Sequence, residues 1–317
     1  ETIARVRVHA TKLNYRPHAG ASSIRSRHFS NVGFMVSNSQ VNNLESIAMH
    51  YGIHDAALEY NFRLTMIRQG STSCRNPDAI SRVFNESHLD ALILLDCSGL
   101  NENYQKILEL TDFPVVFLDH KQDFQSVYCN DVAGARAATE HLLSQGYRKI
   151  AFFRTKNAGN LEPHYSFTDR YQGYADAMRN ARQEPAQAWV MSDHGDEATQ
   201  NWLFGSNRPE AIVCYSDMDA NVIGRLAYQG GLRIPDDLAI TGYGDEASAA
   251  SSWVPLTSVS IPYYQMAQTA FQKALEQMNR MEAPEPFASV ALEPTLQVRA
   301  SSQGSPKGAR VAAAAHN

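Results

Sequence analysis

Apolar residues recur along the chain with two spacings. Short, nearly continuous apolar runs alternate with longer segments in which apolar residues recur every three or four positions. The short runs predict strands at 32–36, 63–67, 91–95, 115–118, 150–153, 188–191, 211–214 and 238–241. The longer segments predict helices at 45–60, 78–86, 101–110, 169–181, 197–204, 218–229 and 263–280. Strands and helices that alternate in this way predict an α/β fold of doubly wound parallel sheets.

The stretch from residue 127 to residue 174 lies near the middle of this pattern. A strand-like run ends at Cys129, the polar pair Asn130 and Asp131 follows, and a helix then ends at Gly146. One stripe of that helix is predicted to be buried, and it consists of Ala135, Ala138, Thr139, Leu142 and Leu143. We interpret this helix and its two flanking strands as one βαβ unit. We also interpret Asn130–Asp131 as a crossing between two lobes, with Arg170 facing the cleft between them.

Composition narrows the class of protein. Of the 317 residues, 44% are apolar, which is enough for the cores of about two domains of ordinary size. No apolar run is long enough for a membrane span, and no secretory signal is recognisable, so we expect a cytoplasmic location without membrane contact. The scattered cysteines Cys74, Cys97, Cys129 and Cys214 are expected to be reduced thiols.

Charge is distributed unevenly along the chain. The net charge is −5, yet residues 1–28 hold six basic residues against Glu1 alone, which makes that segment +5 and the remainder −10. The basic residues are Arg5, Arg7, Lys12, Arg16, Arg25 and Arg27. Such a segment on an acidic body is typical of an arm that contacts phosphates, although a solvated basic helix face explains the charge equally well.

The basic arm contains two predicted helices. The first covers 1–13, and Pro17 separates it from a shorter second helix at 18–27. The second is too short and too rich in Gly and Ser to persist alone in water. We therefore expect it to form only when DNA or a partner chain supports it, which is the behaviour that a switch needs.

Short motifs in a fixed order make the chain similar to the lactose/galactose repressor (LacI/GalR) family. The matching stretches include 13–19, 113–116, 130–134, 146–151, 170–174, 216–217, 231–237, 242–245, 255–259 and 294–295. The resemblance covers nearly the whole chain. It implies two lobes of the periplasmic-binding-protein-like type I fold and a transcriptional regulator, in most cases a repressor.

The resemblance also implies the domain boundaries. The arm at 1–28 corresponds to the end of a helix-turn-helix domain plus a hinge helix, and two further helices are expected before Glu1. The first lobe is expected at 29–129 and 260–283, the second at 130–259 and 284–301, and a tail at 302–317. The chain is expected to cross between lobes near Asn130, Ser260 and Ala283, with runs at 290–292 and 296–298 completing the second sheet.

Operator DNA is the macromolecular partner that the resemblance implies, and it requires the helices expected before Glu1. In the family, the hinge helix pushes an apolar side chain between base steps in the minor groove. Ile24 matches that position, where Leu is usual. The expected DNA and hinge residues are Arg16, Ser23, Ile24, Arg25 and Arg27. A homodimer, and in some members a tetramer, is the assembly implied.

Polar residues follow the predicted strands, where ligands bind in open parallel sheets. They suit a neutral polyhydroxyl effector, a sugar or sugar derivative, with Arg170 and Asp217 binding adjacent hydroxyls. Alternatively, Arg170 pairs with Asp169 or Asp131, and Asp217 caps the helix that follows it. The expected effector-binding residues are Ser37, Asn42, Asp96, Asp119, Arg170, His194, Asp217 and Asp245. The chain departs from the family at Gly244, where an acidic residue is usual, and at His194, where an aromatic residue often lies.

Enzyme and metal motifs are weak in this sequence. No nucleophile elbow, Walker loop, dinucleotide fingerprint or Cys-x-x-Cys pair occurs, so neither catalytic residues nor a cofactor is expected. His50 and His54 have the spacing of a zinc pair, but no further ligand accompanies them, and no metal is expected. A periplasmic-type sugar-binding protein and, less favoured, a sugar-acting α/β enzyme remain the alternatives to a regulator.

Overall fold

Two sheets, each flanked by helices, form the two lobes of the computed structural model. The structure describes residues 2–13, 28–37, 44–69, 88–95, 113–156, 164–192, 197–278 and 286–304. In chain order their elements are α1 (Thr2–Lys12), β1 (Asn31–Ser37), α2 (Leu44–Glu59), β2 (Arg63–Gln69), β3 (Ala91–Leu95), β4 (Val115–Leu118), β5 (Ser126–Cys129), α3 (Asp131–Ser144), β6 (Ile150–Thr155), α4 (Tyr165–Asn180), β7 (Trp189–Met191), α5 (Glu197–Phe204), β8 (Ala211–Cys214), α6 (Asp217–Gln229), β9 (Ala239–Gly244), α7 (Ala247–Ser251), β10 (Thr257–Ser260), α8 (Tyr263–Met278), β11 (Val290–Leu292) and β12 (Thr295–Gln297).

The first lobe is built on a parallel sheet with the strand order β11–β5–β4–β3–β1–β2. Its central strands β3 and β4 are buried along their whole length, as continuous apolar runs in a parallel sheet should be. Helices α2 and α8 pack on each other, and α8 also packs on β3, β4 and β5.

The second lobe has the strand order β12–β10–β9–β8–β6–β7, and only its edge strand β12 runs antiparallel to its neighbour. Helices α3 and α4 pack tightly on each other beside this sheet, and α6 packs on β9. Two sheets of this kind confirm the predicted α/β class of two doubly wound lobes. The predicted helices at 78–86 and 101–110 lie outside the described residues.

The chain passes between the sheets in a way that corrects two predictions. Because β5 belongs to the first sheet and β6 to the second, the unit around α3 is not one βαβ crossover. The strand β11 pairs with β5 in the first sheet rather than completing the second, so its assignment to the second lobe was wrong. The last crossing therefore lies at Glu293–Pro294, between β11 and β12, instead of near Ala283. The physical reason is that β5 offers β11 a parallel edge.

Four of the five residues predicted to form the buried stripe of α3 are buried, and the fifth, Leu143, is half-buried. Ala135, Ala138, Thr139 and Leu142 are buried, and Gly146 adopts a positive φ of 95° just after the helix ends. One apolar core cluster includes residues from both lobes, among them Val127 and Val259. The lobes thus share packed side chains at the crossing, which fixes their base.

The arm joins the first lobe through a clamped junction. The Asp90 carboxylate accepts hydrogen bonds from the backbone nitrogens of Phe29 (2.8 Å) and Asn31 (2.9 Å). The Arg63 guanidinium donates to the Phe29 carbonyl at 2.5 Å, and the Phe29 ring stacks on the His88 ring at 4.8 Å. By contrast, Val6 of α1 and Leu13, directly after that helix, are exposed. The first lobe therefore holds residues 28–31 directly, and any shift of β3 must reach them.

A glycine in α4 makes the tight α3–α4 packing testable. A Cβ on Gly173 would collide with the Val132 carbonyl, whereas a Cβ on Gly224 in α6 would make ordinary contacts with Ile234 and Ile240. We expect Gly173→Ala to lower the free energy of unfolding by about 1–3 kcal/mol through overpacking. As the matched control, Gly224→Ala should raise it by up to about 1 kcal/mol through helix propensity. Urea unfolding measures both, and equal effects would refute the packing argument.

Candidate functional site

The carboxyl ends of strands from both sheets meet in one cleft. In the first lobe β4 leads into Asp119, and in the second lobe β6 ends at Thr155 while β8 leads into Tyr215. The ends face each other, because His164, just before α4, donates from Nε2 to the Asp119 carbonyl at 3.0 Å. Clefts beyond the carboxyl ends of parallel strands are where such folds bind small molecules.

Arg170 of α4 is the buried cation of this cleft. Its Nε donates to the Asp131 carboxylate at 2.7 Å, and its Nη1 donates to the Tyr215 carbonyl at 2.7 Å. Its guanidinium carbon lies 3.8 Å from the ring centroid of Tyr243 and 4.7 Å from that of Tyr215. The pairing with Asp131, which the sequence left open as an alternative, is therefore present. Because Asp131 begins α3 at the crossing, this pair ties the two packed helices together.

The surroundings of Arg170 keep it charged. Burial by itself would lower the pKa of the guanidinium, but the Asp131 carboxylate and the nearby tyrosines outweigh burial and raise that pKa well above its ordinary value. The neighbouring Cys129 thiol shows the opposite consequence of burial. Burial first, and the Asp131 charge second, raise the pKa of Cys129, so this thiol stays neutral and is no nucleophile.

Three contacts connect the lobes across the cleft at one side. Besides the His164–Asp119 hydrogen bond, the Tyr165 hydroxyl donates to the Asp119 carboxylate at 3.2 Å, and Lys121 forms an ion pair with Asp169 at 2.6 Å. Asp119 adopts a positive φ of 57°, an uncommon conformation for a residue with a Cβ. Burial, and then the Asp119 charge, raise the pKa of the Tyr165 hydroxyl, which is therefore the donor. Both lobes thus hold this side of the cleft.

A chain of polar groups continues from His164 into the second lobe. The His164 Nδ1 lies 2.8 Å from the Ser166 hydroxyl, which lies 2.9 Å from the Tyr215 hydroxyl. Ser166 is buried, and Tyr215 also accepts the Arg170 hydrogen bond through its carbonyl. The groups that contact the first lobe are therefore linked to the groups that hold Arg170.

Asp217 is buried and hydrogen-bonded within the second lobe, so it does not simply face the cleft. Its carboxylate accepts hydrogen bonds from the Ser258 hydroxyl (2.6 Å) and the Glu246 backbone nitrogen (2.9 Å), and burial raises its pKa. The cap of α6 is Ser216 rather than Asp217. An effector role for Asp217 would require an exchange of these bonds, which connect the start of α6 to β10 and to the segment after β9.

The remaining predicted site residues are divided between described and undescribed segments. Asp245 forms an ion pair with Arg299 at 2.8 Å, and Ser37 is the last residue of β1. The structure thus brings Asp119 and Arg170 to the cleft and gives Asp217 and Asp245 partners within the second lobe. Asn42, Asp96, His194 and the expected hinge residues Arg16, Ser23, Ile24, Arg25 and Arg27 lie outside the described residues.

The effector-binding residues expected from sequence leave out four residues of this cleft: Arg154, His164, Tyr165 and Tyr215. Arg154 lies at a strand end that the sequence already pointed to as a place for a ligand, and Tyr215 directly follows β8, where the same rule could have found it. His164 and Tyr165 carried no such signal, because their partner Asp119 lies in the other lobe. Among the described residues, no group of three or more His, Cys, Asp or Glu side chains could hold a metal ion. None of the described helices is long and apolar enough to cross a membrane.

Comparison with known proteins shows the family to which this chain belongs. The periplasmic binding protein-like domain family matches residues 139–302, more than half of the chain. The ribose operon repressor of Haemophilus influenzae is 27% identical over 299 residues, which cover 92% of this chain and 86% of that protein. The HTH-type transcriptional repressor PurR of Vibrio campbellii is 27% identical over 281 residues, which cover 86% of this chain and 81% of that protein. The chain belongs to the LacI/GalR family.

Two solved structures share the fold of this chain, and one of them is a LacI-family regulator. A LacI-family regulator from Mycobacterium smegmatis superposes with a TM-score of 0.69 at 25% identity, and the match covers 87% of this chain and all of that one. The complex of the regulator CelR with cellobiose superposes with a TM-score of 0.73 at 21% identity, covering 93% and 89% of the two chains. The latter likeness shows the fold.

The buried pair can be separated from the exposed pair by mutation. Asp131→Asn leaves the Arg170 charge buried without its carboxylate, so we expect the free energy of unfolding to fall by about 3–5 kcal/mol. Lys121→Met breaks a pair whose lysine is 39% exposed, and it should cost no more than about 1 kcal/mol. Chemical denaturation of both variants measures the difference. Similar losses would mean that Arg170 is not held as described.

Proposed function

We propose that this chain is the allosteric core of a DNA-binding transcriptional regulator, acting as a repressor, whose operator affinity depends on a small sugar-like effector bound between the lobes. The observation that supports it best is the cleft, where a buried, charged Arg170 lies beside contacts that join both lobes. A ligand that competes for Asp119 or Arg170 changes the contacts on which lobe closure depends. Relatives that are named repressors support the regulatory part.

Coupling to DNA runs through the first lobe in this proposal. The effector changes the Asp119 and Lys121 contacts, and the first lobe then shifts relative to the second. Asp90 and Arg63 hold residues 29–31 on that lobe, so the arm moves with it. A coupling free energy of about 1–3 kcal/mol is sufficient to change operator affinity by one or two decades.

Exposed apolar faces support a homodimer as the working unit. Helix α2 buries Met49 and Ile53 toward the core, yet its opposite face exposes Ile47, Tyr51 and Leu58. A helix that is apolar on both faces is normally covered on both. The second lobe exposes another patch around Tyr228 and Trp253, whose rings are 4.8 Å apart. A second copy that covers both patches would place two arms side by side on a palindromic operator.

Two alternative functions, a periplasmic-type sugar-binding protein and a sugar-acting enzyme, would require different features of the chain. A periplasmic-type sugar-binding protein has no use for a basic arm that responds to the effector. A sugar-acting enzyme with a thiol nucleophile is disfavoured, because burial raises the pKa of both described thiols, Cys129 and Cys214. Sustained product formation from a sugar substrate would favour the enzyme.

Effector binding is tested with a variant that keeps the site electrically balanced. The double variant Asp131→Asn/Arg170→Met removes both buried charges together, so it should remain folded. We expect it to lose the thermal shift that effector gives the wild-type protein, while Arg179→Met at the exposed end of α4 keeps it. A double variant that responds normally would remove Arg170 from the proposed site.

Regulation is tested with DNA. Expressed from its whole open reading frame, the protein should bind a palindromic operator with a Kd of about 10⁻⁸–10⁻¹¹ M, weakening steeply with salt. Effector should change that affinity by about 5–150-fold. Binding no tighter than to random DNA would contradict the regulator.

The dimer is tested with charge substitutions on α2. Tyr51→Glu and Leu58→Glu place a carboxylate in the proposed interface, so sedimentation should show monomers. Val190→Glu, at an exposed position on the edge strand β7, should leave the dimer intact. Monomeric wild-type protein at micromolar concentration would count against this part of the proposal.

A further inference from the structure

Arg154 is a second arginine of the cleft, and it lies on the α4 face of the second sheet. Its guanidinium carbon lies 4.5 Å from the ring centroid of Phe167, in the first turn of α4, and 5.9 Å from that of Tyr215. Arg170 contacts the same Tyr215 ring at 4.7 Å. Both guanidinium groups therefore lie beside the same aromatic ring.

Arg154 differs from the other two cations of the cleft in having no direct carboxylate partner among the described residues. Arg170 is paired with Asp131, and Lys121 is paired with Asp169. Within the described ranges Arg154 forms no ion pair, and its Nε makes a long hydrogen bond of 3.3 Å to the Thr155 carbonyl. Neither terminal nitrogen of the guanidinium takes part in that bond.

Strand alternation explains why a nearby carboxylate does not neutralise Arg154. Side chains at successive positions of β6 point to opposite faces of the sheet, so Arg154 shares the face of Phe152 and lies toward α4. Thr155 lies on the other face, where its backbone nitrogen and hydroxyl both donate to Asp219 at 2.7 Å. The second Asp219 oxygen accepts from the Ser216 hydroxyl at 2.8 Å. The hydrogen bonds of Asp219 thus lie on the opposite face, and the Arg154 charge acts on Asp219 only through space, as one of several influences that lower its pKa against the larger effect of burial.

A half-buried guanidinium without a hydrogen-bonded carboxylate is costly to keep, because burial removes part of its hydration. The aromatic rings offset some of this cost and fix the plane of the group. A planar guanidinium held in this way is suited to bidentate binding of a phosphate or a carboxylate. Neutral hydroxyls would leave its charge uncompensated.

We propose that Arg154 binds an acidic group of the effector, so that the effector is an acidic sugar derivative, a sugar phosphate or a sugar acid, rather than a neutral sugar. This inference rests on the proposed effector cleft and replaces the neutral ligand expected from sequence. Arg170 contacts the hydroxyl-bearing part of the molecule, and Arg154 contacts its phosphate or carboxylate.

The first experiment uses inorganic phosphate as the probe. Thermal unfolding is followed with phosphate, and with chloride at equal ionic strength, for the wild-type protein, Arg154→Gln, Arg154→Lys and the control Arg179→Gln. At about ten times its Kd, phosphate should raise the midpoint of the wild type and of Arg179→Gln by about 2–4 °C. Arg154→Gln should show no rise, and Arg154→Lys a partial one. An equal rise in wild type and Arg154→Gln, or no rise in either, overturns the proposal.

The second experiment identifies the acidic group by calorimetry with matched ligands. D-Ribose is compared with D-ribose 5-phosphate. D-Glucose is compared with two acidic ligands, D-glucose 6-phosphate and D-gluconate. An acidic member should bind at least about tenfold more tightly than its neutral partner, and Arg154→Gln should remove that advantage. Preference for the phosphates or for gluconate distinguishes the two acids. Tight binding should also weaken as salt rises, because the charges are screened.

The outcomes also separate this inference from the proposed function. If a neutral sugar binds best, independently of salt and unaffected by Arg154→Gln, the acidic class is wrong. The cleft is then retained, provided that the Asp131→Asn/Arg170→Met variant loses that binding. If the double variant binds every ligand as the wild type does, the proposed cleft itself is wrong.

Discussion

The charge of Arg170 must remain buried at the crossing between the lobes, and the rest of the cleft is arranged around it. Asp131 supplies the counterion from the start of α3, Tyr215 supplies a carbonyl, and the Tyr243 ring covers the guanidinium face. None of these groups can shift far without leaving a buried cation unpaired, which costs several kcal/mol. The base of the cleft is therefore rigid, and adjustment is left to the half-buried contacts of Asp119 and the exposed ion pair of Lys121. That division suits a protein in which a ligand changes the angle between lobes while each lobe stays intact.

The α4 side of the second sheet carries the chemistry, and the α6 side carries the support. The α4 side holds Arg154, Ser166 and Tyr215. The guanidinium groups of Arg154 and Arg170 both lie beside the Tyr215 ring. Asp217 and Asp219 hold strand ends, through Ser258 and Thr155, from the region of α6. The separation follows from the two-residue period of a strand, which places neighbours such as Arg154 and Thr155 on opposite faces. The hydrogen bonds of Asp219 are therefore made on the face opposite Arg154, whose guanidinium forms no ion pair with a described carboxylate.

Sequence periodicity predicted the parts of the fold that depend on local pattern. The buried strands β3, β4 and β8, the stripe of α3 and the stop at Gly146 needed only apolar spacing and one conformational preference. The assignment of β11 failed, because three apolar residues carry no information about which sheet edge they join. At the site, the sequence pointed to Arg170 and Asp119 but could not show that Asp217 has Ser258 and Glu246 as partners, which lie far along the chain. The contact of His164 with Asp119 could not be predicted from the sequence either, because these two residues also lie far apart along the chain.

The central claim is that ligand binding in the cleft changes the structure or dynamics of the arm junction at residues 28–31. Amide hydrogen exchange measures such a change most directly. The wild-type protein is compared with and without the acidic sugar that binds it most tightly, at segments 119–121, 164–169 and 28–31. The account predicts altered exchange at the lobe contacts and also at the backbone nitrogens of Phe29 and Asn31, which Asp90 holds. Altered exchange at the cleft with an unchanged junction would contradict the coupling on which the account depends.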